Sequence, residues 1–216
     1  PQCGEYVGIY KKTARVSDAY YNAGLYKARV RDLTGAVESL KISLMINKYN
    51  TNARNLLGLV YLEEGEIVSA LSEWVISKHY QSENNDAEDY IKMIQSNPNK
   101  LETYNQTIRK YNSALNSAKH GDEDMAIIQL KKVVNLNPKF IRAHQLLALL
   151  YMMTGKKDNR VKALKLLRNI SQIDVTNTTT LRYMKELSDV HIRGESTKVQ
   201  PKVVKKEPER RTLPQV

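Results

Sequence analysis

The sequence predicts an all-α protein, a stack of helical hairpins. Two observations predict it. Apolar residues recur at three- and four-residue steps through most of the chain, the period of one helical face, so no strand is expected. A motif also repeats at a fixed spacing: Gly24 lies 34 residues before Gly58, and Ala36, Leu40 and Ser43 stand one such period before Ala70, Trp74 and Ser77. At 216 residues the chain suffices for one domain with a sizeable core.

The clearest unit runs from Thr51 to Asn84. Ala53-Arg54-Asn55-Leu56-Leu57-Gly58-Leu59-Val60-Tyr61 is followed by Gly65, Ala70 and Trp74. Gly58 and Ala70 let two antiparallel helices approach closely. Trp74 is expected to fill the space between this hairpin and its neighbour. Gly65 sits in the turn, where a left-handed conformation suits glycine. The preceding unit spans residues 17–50. Leading into and through its start, Ile9, Thr13, Val16, Tyr20, Ala23 and Gly24 mark one helical face, with helix expected from Tyr6.

The period then breaks. Residues 86–96 read as a short amphipathic helix carrying Ala87, Tyr90, Ile91 and Ile94, expected to be a lone second-type helix without a proper partner and ended by Asn97-Pro98. A long helix follows from Leu101 to Lys119. In the third unit, 107–140, Ala114, Gly121, Ala126 and Leu130 take the places of Gly58, Gly65, Ala70 and Trp74. The fourth, 141–177, carries Leu147-Ala148, Tyr151 and Gly155. Its packing pair Ala163 and Leu167 comes three residues late, so a small turn insertion is expected at Lys156 to Arg160. Asn177-Thr178-Thr179-Thr180 offers N-cap side chains to a final helix, 181–190, that would cap the array.

Residues 17–190 resemble tetratricopeptide-repeat proteins, by the Ala53–Tyr61 run, the Leu-Ser-Glu-Trp-Val-Ile-Ser run at 71–77 and the Ala-Ile-Ile-Gln-Leu-Lys-Lys-Val run at 126–133. The same runs are similar to those of a Firmicutes branch that places a zinc ribbon before the repeats and a low-complexity segment, sometimes a membrane helix, after them. The resemblance implies an α-solenoid of about four repeats plus a capping helix, and no known reaction. It also implies a concave groove lined by the first helix of each repeat: Tyr21, Leu25 and Arg29; Asn55, Leu59 and Leu62; Tyr111 and Leu115; Arg142, Gln145, Leu149 and Met152. Asn and Gln could bond a peptide backbone there, while Tyr and Leu supply pockets. Chaperone-adaptor relatives hold a terminal carboxylate with Lys and Asn in the first repeat; here those places carry Tyr21 and Leu25, which argues against that ligand class.

Residues 1–16 read as the remnant of a zinc-ribbon-like segment leading into the first helix, Pro1-Gln2-Cys3-Gly4 resembling the end of a zinc knuckle. Cys3 is the single cysteine, so a free thiol is the alternative reading. Tetrahedral zinc needs four ligands, and zinc is therefore expected only in a longer parent protein, of which this chain would be a fragment. No disulfide framework can form, which suits a reducing, cytoplasmic compartment. Membrane attachment would have to come through a segment beyond the C-terminus, since no apolar run reaches the length of a span.

The net charge of +11 is uneven: residues 62–90 hold one basic and eight acidic side chains, the tail from His191 seven and three. An acidic block in mid-array argues against a continuous nucleic-acid track. The tail, 191–216, has three prolines and few large apolar residues and is read as disordered. No phosphate loop or catalytic constellation is present. Among the four histidines only His120, with Asp124, has a weak partner at ligand spacing. Asp122-Glu123-Asp124 reads as a helix N-terminus. The expected function is a non-enzymatic scaffold, without cofactor, binding a peptide segment or helix of a partner protein. The alternatives are a basic repeat protein that binds nucleic acid or an anionic membrane surface through its tail, and the regulatory arm of a larger assembly.

Overall fold

The computed structural model describes residues 2–193, with side-chain detail over residues 8–189. Among the described residues there are ten helices and no strand: α1 (Gln2–Arg29), α2 (Leu33–Ile46), α3 (Thr51–Glu63), α4 (Ile67–Tyr80), α5 (Ala87–Gln95), α6 (Pro98–Lys119), α7 (Glu123–Leu136), α8 (Ile141–Met153), α9 (Lys157–Ser171) and α10 (Thr178–Arg193). Most of the expected tail, 194–216, lies outside the described residues. Gln2, Cys3 and Gly4 form the first turn of α1, so helix begins ahead of Tyr6.

Short polar side chains start four of the helices, one of them, α6, three residues ahead of the expected Leu101. Asp32, Asn50, Asn97 and Asp122 each accept a hydrogen bond from the backbone N–H three residues on. Pro98 occupies the first position of α6, where its missing N–H costs nothing. Asn97-Pro98 thus ends α5 and opens α6 in one step. The turn glycines Gly65, Gly121 and Gly155 have φ of 78°, 81° and 68°.

Helices pair as antiparallel hairpins, α1 with α2, α3 with α4, α6 with α7, and α8 with α9, the tetratricopeptide arrangement. Each hairpin closes on a small residue facing a large one. A Cβ on Gly24 would meet Leu40 Cγ at 2.7 Å, and one on Gly58 would strike the indole of Trp74. Leu40 and Trp74 are wholly buried, and Trp74 Nε1 donates to the Asn55 carbonyl at 3.1 Å. Ala114, Ala126 and Leu130 do the same work in the third hairpin, and Ala148, Ala163 and Leu167 in the fourth. Ser43 and Ser77, one period apart, are both buried; Ser43 is tied to Ser17 by reciprocal bonds of 2.8 and 3.0 Å.

Three elements differ from expectation. Lys157 to Arg160 are the first turn of α9 rather than a turn insertion: Asp158 suits the positive end of a helix, and Asn159 Nδ2 donates to Thr154 Oγ1 at 2.9 Å. On α1, Ile9, Val16 and Tyr20 are exposed, because α2 is half its length and the line of α1 that meets the α2 side is Ser17, Tyr21, Gly24 and Ala28. And α5 is no unpartnered second-type helix. Ala87 and Ile94 are wholly buried against Ala70 and Trp74 of α4, and the Tyr90 ring lies 5.3 Å from that of Trp74. Ala87 follows Ala53 by one period, so α5 takes the place of a first helix.

After α5 the array changes course. Another second helix, turn and first helix would be due, but α6 runs uninterrupted for 22 residues with no glycine to break it. Leu101 and Tyr104 in its first half pack against the α4–α5 interior, while Tyr111 and Ala114 in its second half belong to the third hairpin. The chain therefore doubles back. Helices α1–α5 form one module and α6–α10 a second, with α6 common to both.

Candidate partner-binding cleft

The modules meet through loops that the sequence holds far apart. The α3–α4 turn lies on the α7–α8 loop: Ile141 N–H donates to the Glu64 carbonyl at 3.2 Å, and Asn137 Nδ2 to the Gly65 carbonyl at 3.0 Å. A Cβ on Gly65 would come within 2.6 Å of the Phe140 backbone, so glycine is needed here for approach as well as for its positive φ. Lys139 pairs with Glu63 at 2.6 Å and Arg142 with Glu66 at 3.2 Å. One repeat earlier the α1–α2 turn lies on the α9–α10 loop in the same way, Val175 N–H donating to the Arg31 carbonyl at 3.0 Å.

Beside the first of these contacts, between the start of α4 and the length of α6, opens a cleft of about 280 Å³. Its wall on α6 is the stripe Tyr104, Ile108, Tyr111 and Leu115, at steps of four, three and four residues. Val68, 57 % exposed, faces it from α4. Asn112, Glu66 and Arg142 supply polar groups at the rim. The chemistry on offer is that of a docking surface: apolar and aromatic side chains at helical spacing, a free amide and one ion pair.

Buried and half-buried ionisable groups lie close by. Burial, with Asp174 and Glu66 nearby, pushes the Glu64 carboxyl up to about 7, against the pull of Lys41 and Arg142. The Tyr111 hydroxyl is raised by burial and by Glu66, with Arg142 opposing. Burial lowers His144, whose Nδ1 lies 2.9 Å from the Phe140 carbonyl oxygen, the ring's partner.

The twelve expected groove residues do not share one free surface. Tyr111, Leu115 and Arg142 meet in the cleft. Tyr111 is itself core, its ring 4.7 Å from that of Phe140. Leu59 and Leu62 pack against the interior around Trp74, together with Leu101 and Tyr104. Asn55 is buried and donates to Asn85 Oδ1 at 2.7 Å. Gln145 Nε2 donates to Asn177 Oδ1 at 2.7 Å and to Thr180 Oγ1 at 2.9 Å, holding the start of α10. Met152 packs in the interior that takes in Tyr183, Met184 and Leu187 of α10. Tyr21 lies against the α2–α3 interior; Leu25 and Leu149 are half-buried and Arg29 is exposed. Sequence reasoning missed Glu66, Val68, Tyr104, Ile108 and Asn112. The α6 stripe was findable, since Tyr104 and Ile108 continue the spacing of Tyr111 and Leu115. Val68 and Glu66 were not, because they reach the cleft only through the doubling back.

Among the described residues, no group of three His, Cys, Asp or Glu side chains could hold a metal ion. No described helix is long and apolar enough to cross a membrane.

No protein-family model matches the chain, and no curated protein sequence matches it. Among solved structures it is similar to Pseudomonas aeruginosa PilF, at 16 % identity, covering 85 % of this chain and 72 % of that one with a TM-score of 0.34. It is also similar to YrrB, a tetratricopeptide-repeat protein with an unusual peptide-binding site, at 20 % identity over 77 % of this chain and 90 % of that one, TM-score 0.33. A third is MamA, at 22 % identity over 73 % and 91 %, TM-score 0.32. The tetratricopeptide architecture of this chain rests on its own 34-residue period and hairpin packing.

Proposed function

We propose that the protein is a non-enzymatic scaffold that docks a peptide segment or helix of a partner protein in the cleft between α4 and α6. The observation that carries this reading is the α6 stripe Tyr104, Ile108, Tyr111 and Leu115, apolar and aromatic, with exposed Val68 opposite and the Glu66–Arg142 pair at the rim. Such a surface offers anchor pockets flanked by polar groups that fix register, the anatomy of a protein interface. Zinc, nucleic acid and an anionic membrane remain tied to segments outside the described residues, Cys3's side chain and the basic tail.

The test uses cross-linking capture of the partner by the intact protein, in low and high salt, beside Ile108→Glu and Val68→Glu variants. Capture that survives high salt and is lost in both variants supports the cleft. Binding that falls steeply with salt and ignores both variants would sink it in favour of phosphate contacts through the tail.

A further inference from the structure

The modules are apolar within and polar between. One interior runs from Tyr111 to Ile170, another gathers Leu33, Leu40, Leu57 and Val60, and Ile173 reaches both. Around Ile173 the contacts are hydrogen bonds. Asp174, 1 % exposed, sits across the first turn of α2 and accepts from Leu33 N–H at 3.1 Å, Thr34 N–H at 3.2 Å and Thr34 Oγ1 at 2.6 Å. Asp32 caps the next amide of the same turn and bonds Thr176 Oγ1. Arg31 Nη1 donates to the Gln172 carbonyl at 3.0 Å. Asp174 thus satisfies, from 140 residues away, amides that helices ordinarily leave to water or a local cap.

Two further features lie at this seam. Arg31 holds φ of 61°, the left-handed turn conformation that Gly65 adopts one period later and that any residue with a Cβ disfavours. Glu64 is half-buried with two other carboxylates, Asp174 and Glu66, near it. The direct bonds across the seam at Asp174 are polar, with Ile173 the hydrophobic side chain packed on both interiors.

We propose that Asp174 is a releasable latch: seated on the first amides of α2, it holds the two modules closed, and on its release they hinge about α6 and the cleft between Val68 and Ile108 widens. The helix that would act as the pivot is continuous and packed at both ends, through Leu101 and Tyr104 on one module and Tyr111 and Ala114 on the other. The consequence for a partner rests on the cleft reading; the motion does not.

The test is a distance between modules in the full chain, without ligand. In a Cys3→Ser background, Lys48→Cys on the α2–α3 loop and Lys132→Cys on α7 place spin labels at exposed sites on the two modules. The unaltered seam should give one narrow distance by pulsed electron paramagnetic resonance. Asp174→Ala and Thr34→Val should each broaden it toward longer distances at unchanged far-ultraviolet helicity. Amide exchange at Leu33 and Thr34 should rise by about tenfold or more while that of α8 stays put, the mark of a local opening. An unchanged distance in both variants overturns the latch. So does a collapse of helicity in the milder Asp174→Asn variant, which would make the seam part of a single cooperative core. Because no partner is added, failure here leaves the cleft reading standing, and failure of the capture experiment leaves the latch standing.

Discussion

The joint inside a hairpin and the joint between the modules solve the same problem with opposite chemistry. At Gly58 and Trp74 two helices interlock by shape: a missing side chain admits an indole, and one hydrogen bond satisfies its only polar atom. At Asp174, Glu64 and Arg31 the contact is made of charges and backbone amides, with Ile173 as its apolar filler. Shape interlock is insensitive to solution conditions and intolerant of substitution. The polar seam differs in holding Glu64, whose raised carboxyl makes its contribution depend on pH.

That contrast can be broken or sharpened by measurement. The largest effect belongs to the interlock: Trp74→Ala should cost roughly 3–5 kcal/mol in chemical denaturation, the range for deleting a large buried aromatic. A loss below about 1 kcal/mol, a surface-like value, would mean that the helix register is wrong.

Next comes Glu64. Its folded-state value is raised to about 7, so the folded protein binds this proton more tightly than the unfolded chain does. The contribution of Glu64 to stability should therefore fall as pH rises from about 4.5 to about 7, by up to about 3 kcal/mol. Denaturation of Glu64→Gln across this window should lack that decline. A wild-type minus Glu64→Gln stability difference that rises over the same range would contradict the raised seam carboxyl.

His144 should work in the other direction. Burial lowers it, so the folded state prefers the neutral ring, and stability is lost as pH falls below the ordinary imidazole value of about 6.5. An NMR titration of this imidazole should place its midpoint below that value; a midpoint above it would refute the burial argument. Asp174→Ala should cost about 1–3 kcal/mol, by stranding the Leu33 and Thr34 amides.

The smallest effect is at the rim of the seam. Lys139 and Glu63 are both more than two-fifths exposed, so a double-mutant cycle should give less than about 1 kcal/mol. A larger coupling would mean that the rim, and not Asp174, holds the modules together.

By itself the sequence determined the helical hairpins. Gly24, Gly58 and Ala114 with their large partners, and the turn glycines, act within one 34-residue period, and a period is legible in a single chain. It also carried half of the cleft, because Tyr111 and Leu115 sit on one helix at fixed steps. Only the tertiary structure decided that α6 would run straight, that α5 would dock on α4, and that Asn55 and Gln145 would be occupied by Asn85 and by Asn177 with Thr180. It alone brought Asp174 to Leu33 and Asn137 to Gly65, pairs separated by 141 and 72 residues. The physical reason is that apolar interlock repeats with the helix and leaves a periodic trace. A polar loop contact is made once, by side chains whose partners lie several elements away, and it has no period to read.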